Sequence, residues 1–124
     1  MTTLAGLSVL LVEDEFLIAL DAEQILKDLG VEDVEVIASW DAAKKRAEDG
    51  QFDLAVLDVN INGQLSFPIA DIIRGRGIPF VFASGYELRN RALSDLDGAV
   101  CVTKPYTKDR LKDALSAALA QGMP

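Results

Sequence analysis

Five short apolar runs recur along the chain, each followed by a longer stretch of mixed character. The runs are Ser8-Val9-Leu10-Leu11-Val12, Val34-Glu35-Val36-Ile37, Leu54-Ala55-Val56-Leu57, Phe80-Val81-Phe82-Ala83 and Ala99-Val100-Cys101-Val102. Unbroken apolar character over so few residues predicts strands covered on both faces, as in a parallel sheet. Only the second run holds a charge, Glu35, which predicts an edge strand. The intervening stretches predict helices. Ile18, Ala22, Ile25 and Leu29 step at helical spacing, with Gly30 as the stop. Ser39 can cap a second helix that runs to about Asp49 and closes at Gly50. Pro68 stands where a third helix starts, and that helix ends near Gly75. Leu111, Leu115 and Ala118 line a last helix, with Thr107 as its cap. The stretch from Tyr86 to Leu96 is the weakest helix pattern, short of apolar positions.

Regular β-α alternation with short connections implies a parallel sheet with helices on both faces. Five such units predict a doubly wound α/β (βα)5 fold, a flavodoxin-like three-layer sandwich of strand order 2-1-3-4-5. The charged second strand suits an edge in that order. The length of 124 residues supports a single domain, read as 1–124. The last helix pattern runs out at Gln121-Gly122-Met123-Pro124, so no DNA-binding or catalytic domain is expected beside it.

Composition narrows the function classes. Half of the residues are hydrophobic, enough to bury a core. Lys and Arg number 12 against 20 Asp and Glu, a net charge of −8. With no basic tract, nucleic acid and anionic membrane are poor partners. The chain has no His, which excludes His-based catalysis and His metal ligands. Its single Cys, Cys101, excludes an internal disulfide and is read as a small core residue. No secretory signal and no run near the ~18 residues of a membrane span are visible. A cytoplasmic location is expected.

In a doubly wound sheet, ligands bind beyond the C-terminal strand ends, at the switch point between strands 1 and 3. The residues there carry chemistry. Glu13, Asp14 and Glu15 follow the first run, and Asp58 and Asn60 follow the third. Ser84-Gly85 follows the fourth run and Lys104-Pro105 the fifth. Crowded carboxylates repel one another unless a cation joins them, and Mg²⁺ takes oxygen ligands of this kind. Asp58 is then a candidate nucleophile, since carboxylates can form aspartyl phosphates. Lys104 can neutralise phosphoryl oxygens, and Ser84 can donate a hydroxyl hydrogen bond to them. Each residue alone has a plainer reading. Asp14 can cap the first helix, Glu15 can be first-turn charge, and Asp58 can be a loop acid. Ser84-Gly85 can be a turn, Lys104 a solvated lysine, and Trp40 helix packing. Asn62-Gly63 is a turn signal and receives no catalytic role. Jointly, four signals on four successive strand ends outweigh those readings.

The set Glu13-Asp14, Asp58, Ser84 and Lys104-Pro105 resembles the receiver (CheY-like) domain of two-component response regulators. The resemblance covers nearly the whole chain. It implies a phosphoprotein of a phosphorelay, in which Asp58 accepts a phosphoryl group from a histidine kinase or histidine phosphotransferase. It also implies that Glu13 and Asp14 help to hold Mg²⁺, with Asp58 and the backbone carbonyl of Asn60 completing the protein ligands. Ser84 and Lys104 match the residues that bond the phosphoryl group, and Pro105 matches a proline usually preceded by a cis peptide. The run Pro79-Phe80-Val81-Phe82-Ala83-Ser84-Gly85-Tyr86 resembles the Pro-Phe-x-Phe-Ala-Thr-Gly-Tyr signature of an alphaproteobacterial group of single-domain receivers, with Ser in place of Thr. That narrower resemblance implies a kinase of the HWE or HisKA_2 type. One position departs from the family. Most receivers carry Tyr or Phe three residues before the lysine, and here Cys101 stands there. Tyr86 is the expected substitute that shields or reports on the phosphoryl group.

The expected role is signalling through protein–protein contact, or service as a phosphate sink, and not a free-standing enzyme beyond its own phosphotransfer and dephosphorylation. The readout face is expected to be built from the 86–96 stretch, the last strand and the last helix. A pseudo-receiver scaffold that never uses its Asp is the main alternative. A small aspartate-dependent phosphatase is disfavoured, because Asn60 cannot donate the proton its second Asp supplies. A nucleotide- or flavin-binding module is disfavoured by three acids after the first strand.

Overall fold

The computed structural model describes residues 4–84 and 99–122. In chain order the elements are β1 (Ser8–Val12), α1 (Phe16–Asp28), β2 (Asp33–Ile37), α2 (Trp40–Asp49) and β3 (Leu54–Asp58). A short pair comes next, β4 (Asn60–Ile61) and β5 (Gln64–Leu65), then α3 (Phe67–Gly75), β6 (Phe80–Ser84), β7 (Val100–Thr103) and α4 (Lys108–Gly122). The main sheet has 5 strands in the order β2-β1-β3-β6-β7, all parallel. Because β4 and β5 pair only with each other, the five apolar runs stand in the predicted order, with the Glu35 strand at one edge.

Alternation along the strands sorts side chains into two cores. Val9, Leu11, Leu54, Val56 and Val81 face α1 and α4, packing with Ala22, Leu26, Leu111 and Leu115. Leu10, Val12, Ala55, Leu57 and Phe82 face α2 and α3, packing with Ala43, Ala47, Ile69 and Ile73. The result is a helix–sheet–helix sandwich of the flavodoxin-like kind. The ends of the helices obey their sequence signals. Ser39 Oγ accepts the Ala42 N–H at 3.2 Å, and Thr107 Oγ1 accepts the Arg110 N–H at 3.2 Å. Gly30 takes φ +100 just past α1, a conformation that favours glycine.

The buried line of α1 is Ala19, Ala22 and Leu26, and the expected positions Ile18, Ile25 and Leu29 pack half-buried against the same core. Phe16 and Leu17 are 73% and 77% exposed at its start. Cys101 is not a core residue but exposed. It lies on the edge strand β7, where Val102 points into the core and its neighbours on either side take the opposite face. Tyr86 and the 86–96 helix expectation lie outside the described residues. Among those residues, no helix is long and apolar enough to cross a membrane.

Candidate functional site

Parallel register brings the C-terminal strand ends level. Val12 pairs with Ile37, Asp58 with Ala83, and Ser84 with Thr103. Residues one or two steps past those ends therefore converge on one edge of the sheet. Glu13 comes directly after β1 and is only 1% exposed. Its N–H donates to the Ile37 carbonyl at 3.0 Å, which anchors the backbone to β2. Asp58 is the last residue of β3 and is 4% exposed. Lys104, just past β7, reaches back to both acids. Its Nζ donates to Glu13 Oε1 at 3.0 Å and to Asp58 Oδ2 at 3.1 Å. The Lys104 N–H donates to the Ser84 carbonyl at 2.7 Å, tying the ends of β6 and β7 together. The Lys104–Pro105 peptide is cis. Ser84 is buried at the end of β6, at 3% exposure.

One ammonium faces two buried carboxylates, and a third acid stands beside them. Oxygens of Glu13, Asp14 and Asp58 lie within 4.8 Å of one another. Burial, and after it the charge of Glu13, pushes the Asp58 carboxyl up to about 7, against the pull of Lys104. Burial works against the Lys104 charge, but the hydrogen bond to Glu13 and the charge of Asp58 outweigh it, so its pKa is raised. Tyr106 is buried just beyond, and its phenol is pushed up by burial first and by Glu13 and Asp58 second. An excess of hard oxygen donors over cationic charge is the chemistry a small divalent cation answers, so this donor set fits Mg²⁺.

The structure brings Glu13, Asp14, Asp58 and Lys104 together, with Ser84 tied to Lys104 through the backbone. Asp14 does not cap α1; the cap position is Glu15, which has no side-chain cap bond. Instead Asp14 Oδ2 accepts the Asn62 N–H at 2.8 Å. The Glu15 N–H donates to Glu13 Oε2 at 3.1 Å. Asn60 opens β4, and its Oδ1 accepts the Gly63 N–H at 2.8 Å. Trp40 packs in the α2–α3 core and also donates its indole N–H to the Leu65 carbonyl at 3.0 Å.

Two contributors escaped the sequence reading. Ser66 is fully buried, and its hydroxyl donates to the Asp58 carbonyl at 2.6 Å. A Ser before Phe67-Pro68 signals a helix cap, yet Ser66 makes no cap bond and spends its hydroxyl on β3. The other is the β4–β5 hairpin. Asn62 and Gly63 take φ +52 and +88, the pattern of a two-residue type I′ turn. Asn-Gly marks that turn, but the flanking strands are two residues each, too short for a periodicity signal.

Known proteins share this fold. The solution structure of SdrG from Sphingomonas melonis Fr1 is similar at TM-score 0.80 and 37% identity, over 95% of this chain and 99% of that one. The receiver domain of the sensor histidine kinase PA1611 from Pseudomonas aeruginosa PAO1, solved with a magnesium ion coordinated in its active-site cleft, is similar at TM-score 0.77 and 25% identity, over 94% of this chain and 99% of that one. The sensory transduction protein LytT of Bacillus subtilis (strain 168) is 29% identical over 112 residues, 88% of this chain and 46% of LytT. The chain spans less than half the length of the curated relatives it matches. Residues 9–116 match the response regulator receiver domain, and the chain belongs to that family of two-component signalling modules.

Proposed function

We propose that the protein is a phosphoacceptor of a two-component phosphorelay, with Asp58 as the acceptor. The observation that carries this reading is the single ammonium of Lys104 held between two buried carboxylates, Glu13 and Asp58, at the carboxyl edge of the sheet. An Asp58 carboxylate oxygen attacks the phosphorus of a phosphohistidine on a histidine kinase or phosphotransferase. The P–O bond forms as the P–N bond breaks, and the imidazole leaves. Glu13, Asp14, Asp58 and the Asn60 carbonyl would hold a Mg²⁺ ion, which would supply charge neutralisation for the phosphoryl oxygens. Lys104 shifts from its carboxylate partners toward the phosphoryl group, and Ser84 donates its hydroxyl to it. Phosphorylation replaces a carboxylate with a more highly charged group and biases a two-state equilibrium of the loops around it.

The Pro79–Tyr86 run supports a narrower assignment: a single receiver domain over 1–124, of the alphaproteobacterial Pro-Phe-x-Phe-Ala-Thr-Gly-Tyr group, with an HWE or HisKA_2 kinase as donor. The 37% identity to SdrG over almost its whole length is consistent with such a short receiver. With Cys101 in place of the usual aromatic, Tyr86 takes over the reporting role. Output then passes through a protein partner, or the domain drains phosphoryl groups from the kinase.

The test is intact mass after incubation with acetyl phosphate, with and without Mg²⁺, on the wild type and Asp58→Asn. A phosphoryl increment that needs both Mg²⁺ and Asp58 is the expected result. An equal increment on Asp58→Asn would refute the acceptor. SdrG is known in a BeF3-activated conformation. If no increment forms here, beryllofluoride-induced amide shifts separate a receiver that accepts only from its cognate phosphohistidine from a scaffold, in which no shift appears.

A further inference from the structure

The Asn62-Gly63 turn has no part in the chemistry above, yet it lies against it. The Asn62 N–H donates to Asp14 Oδ2 at 2.8 Å, across 48 residues of chain. The Asn62 side-chain amide donates to the Ala38 carbonyl at 3.2 Å, one residue past β2. The turn is thus fastened to the ends of β1 and β2 at once. Its own shape is over-determined. Asn62 holds φ +52, Gly63 holds φ +88, and Asn60 Oδ1 takes the Gly63 N–H. Asn tolerates that left-handed conformation far better than most side chains. The far strand of the hairpin is held by the Trp40 indole at Leu65, and the next residue, Ser66, holds the Asp58 carbonyl. The short hairpin and the residue that follows it therefore contact both Asp14 and Asp58.

We propose that Asn62 is a positioning residue: its backbone N–H fixes the Asp14 carboxylate in the orientation from which Asp14 binds Mg²⁺. This rests on the reading of Glu13, Asp14 and Asp58 as the metal site. A half-buried carboxylate on a short loop still has several rotamers. An N–H on one oxygen selects among them before the ion arrives and leaves the other oxygen for the ion. Outer hydrogen bonds of this kind commonly tune metal affinity by about 10- to 100-fold.

The test compares Mg²⁺ dissociation constants, measured by calorimetry on the whole chain without any phosphodonor. Asn62→Gly keeps the N–H and the left-handed backbone and loses only the bond to Ala38; it is expected to bind within about 2-fold of wild type. Asn62→Pro lacks the N–H and, with φ fixed at about −65°, also gives up the φ +52 turn, so weakening of at least about 10-fold is expected. In an Asp14→Ala background Asn62→Pro should weaken binding less than it does in the wild type, because the part of its effect that belongs to the N–H passes through Asp14. Wild-type affinity in Asn62→Pro, or an equal loss in both backgrounds, would overturn the proposal. Wild-type affinity in Asp14→Ala would remove the metal-site reading, and this proposal with it. If Asn62→Pro does not fold, hydrogen exchange of the Asn62 amide decides. About 10-fold faster exchange in Asp14→Ala than in wild type supports the bond, and unchanged exchange overturns it.

Discussion

Asp58 is placed where its charge is expensive. It ends a strand whose every residue is buried, and Glu13 adds a second negative charge within reach of the same lysine. The folded protein therefore holds the Asp58 proton up to about pH 7, whereas an unfolded chain releases it near the ordinary value of 3.8. Between those values the folded state binds more protons, so this group's contribution to stability is fully present below about pH 4 and is lost as pH rises through about 7. Asp58→Asn removes the effect while keeping the shape. In EDTA, the melting temperature of Asp58→Asn is expected to exceed that of wild type by a margin that grows from pH 5 to pH 8. Thermal melts at the two pH values check it, and a pH-independent difference would contradict the assignment.

At the scale of elements, the site is an arrangement of strand ends braced by one hairpin. Parallel pairing sets the ends level, and short side chains fasten the loops that leave them. Ser66 is the tightest of these braces, since its buried hydroxyl bonds the Asp58 carbonyl and its N–H bonds the Val59 carbonyl. Ser66→Ala leaves the buried Asp58 carbonyl without its hydroxyl partner, and a cost of about 2 kcal/mol is expected. Ser39→Ala removes an exposed cap at the start of α2 and is expected to cost about 1 kcal/mol. Urea unfolding midpoints of the two variants check the order. A smaller loss for Ser66→Ala than for Ser39→Ala would show that the hairpin does not brace the strand end.

Across the whole molecule, the proposed metal site ties ion binding to stability. A chain of net charge −8 that gathers three acids at one edge works against its own compact state until a cation arrives. Because the three acids come from the ends of β1 and β3, only the folded chain holds the full donor set. Mg²⁺ is expected to raise the unfolding free energy of wild type by about 2.7 kcal/mol at 100 times its dissociation constant. Asp14→Ala is expected to respond less at the same concentration. Melts in MgCl₂ against EDTA, at matched ionic strength, check this. An equal rise in the variant would mean that the ion acts by general screening and not at this site.

Much of this was legible along the chain because it is governed by local rules. Apolar runs, capping residues and the single charged strand determined the five main strands, most helix boundaries and the edge place of Glu35. The strand ends then picked out Glu13, Asp14, Asp58, Ser84 and Lys104, since a parallel sheet has one functional edge. The rest depended on partners remote in sequence. Cys101 is as apolar as its neighbours, and only the edge position of β7 decides that it faces outward. Spacing along α1 marked the face that meets the core, and only packing on the sheet adds Ala19 and Leu26 as its most buried positions. Ser66 carries the sequence mark of a cap, and only the approach of β3 gives its hydroxyl another acceptor. Asn62-Gly63 announces its turn by composition, but its bond to Asp14 exists only because folding brings residues 48 positions apart within 2.8 Å.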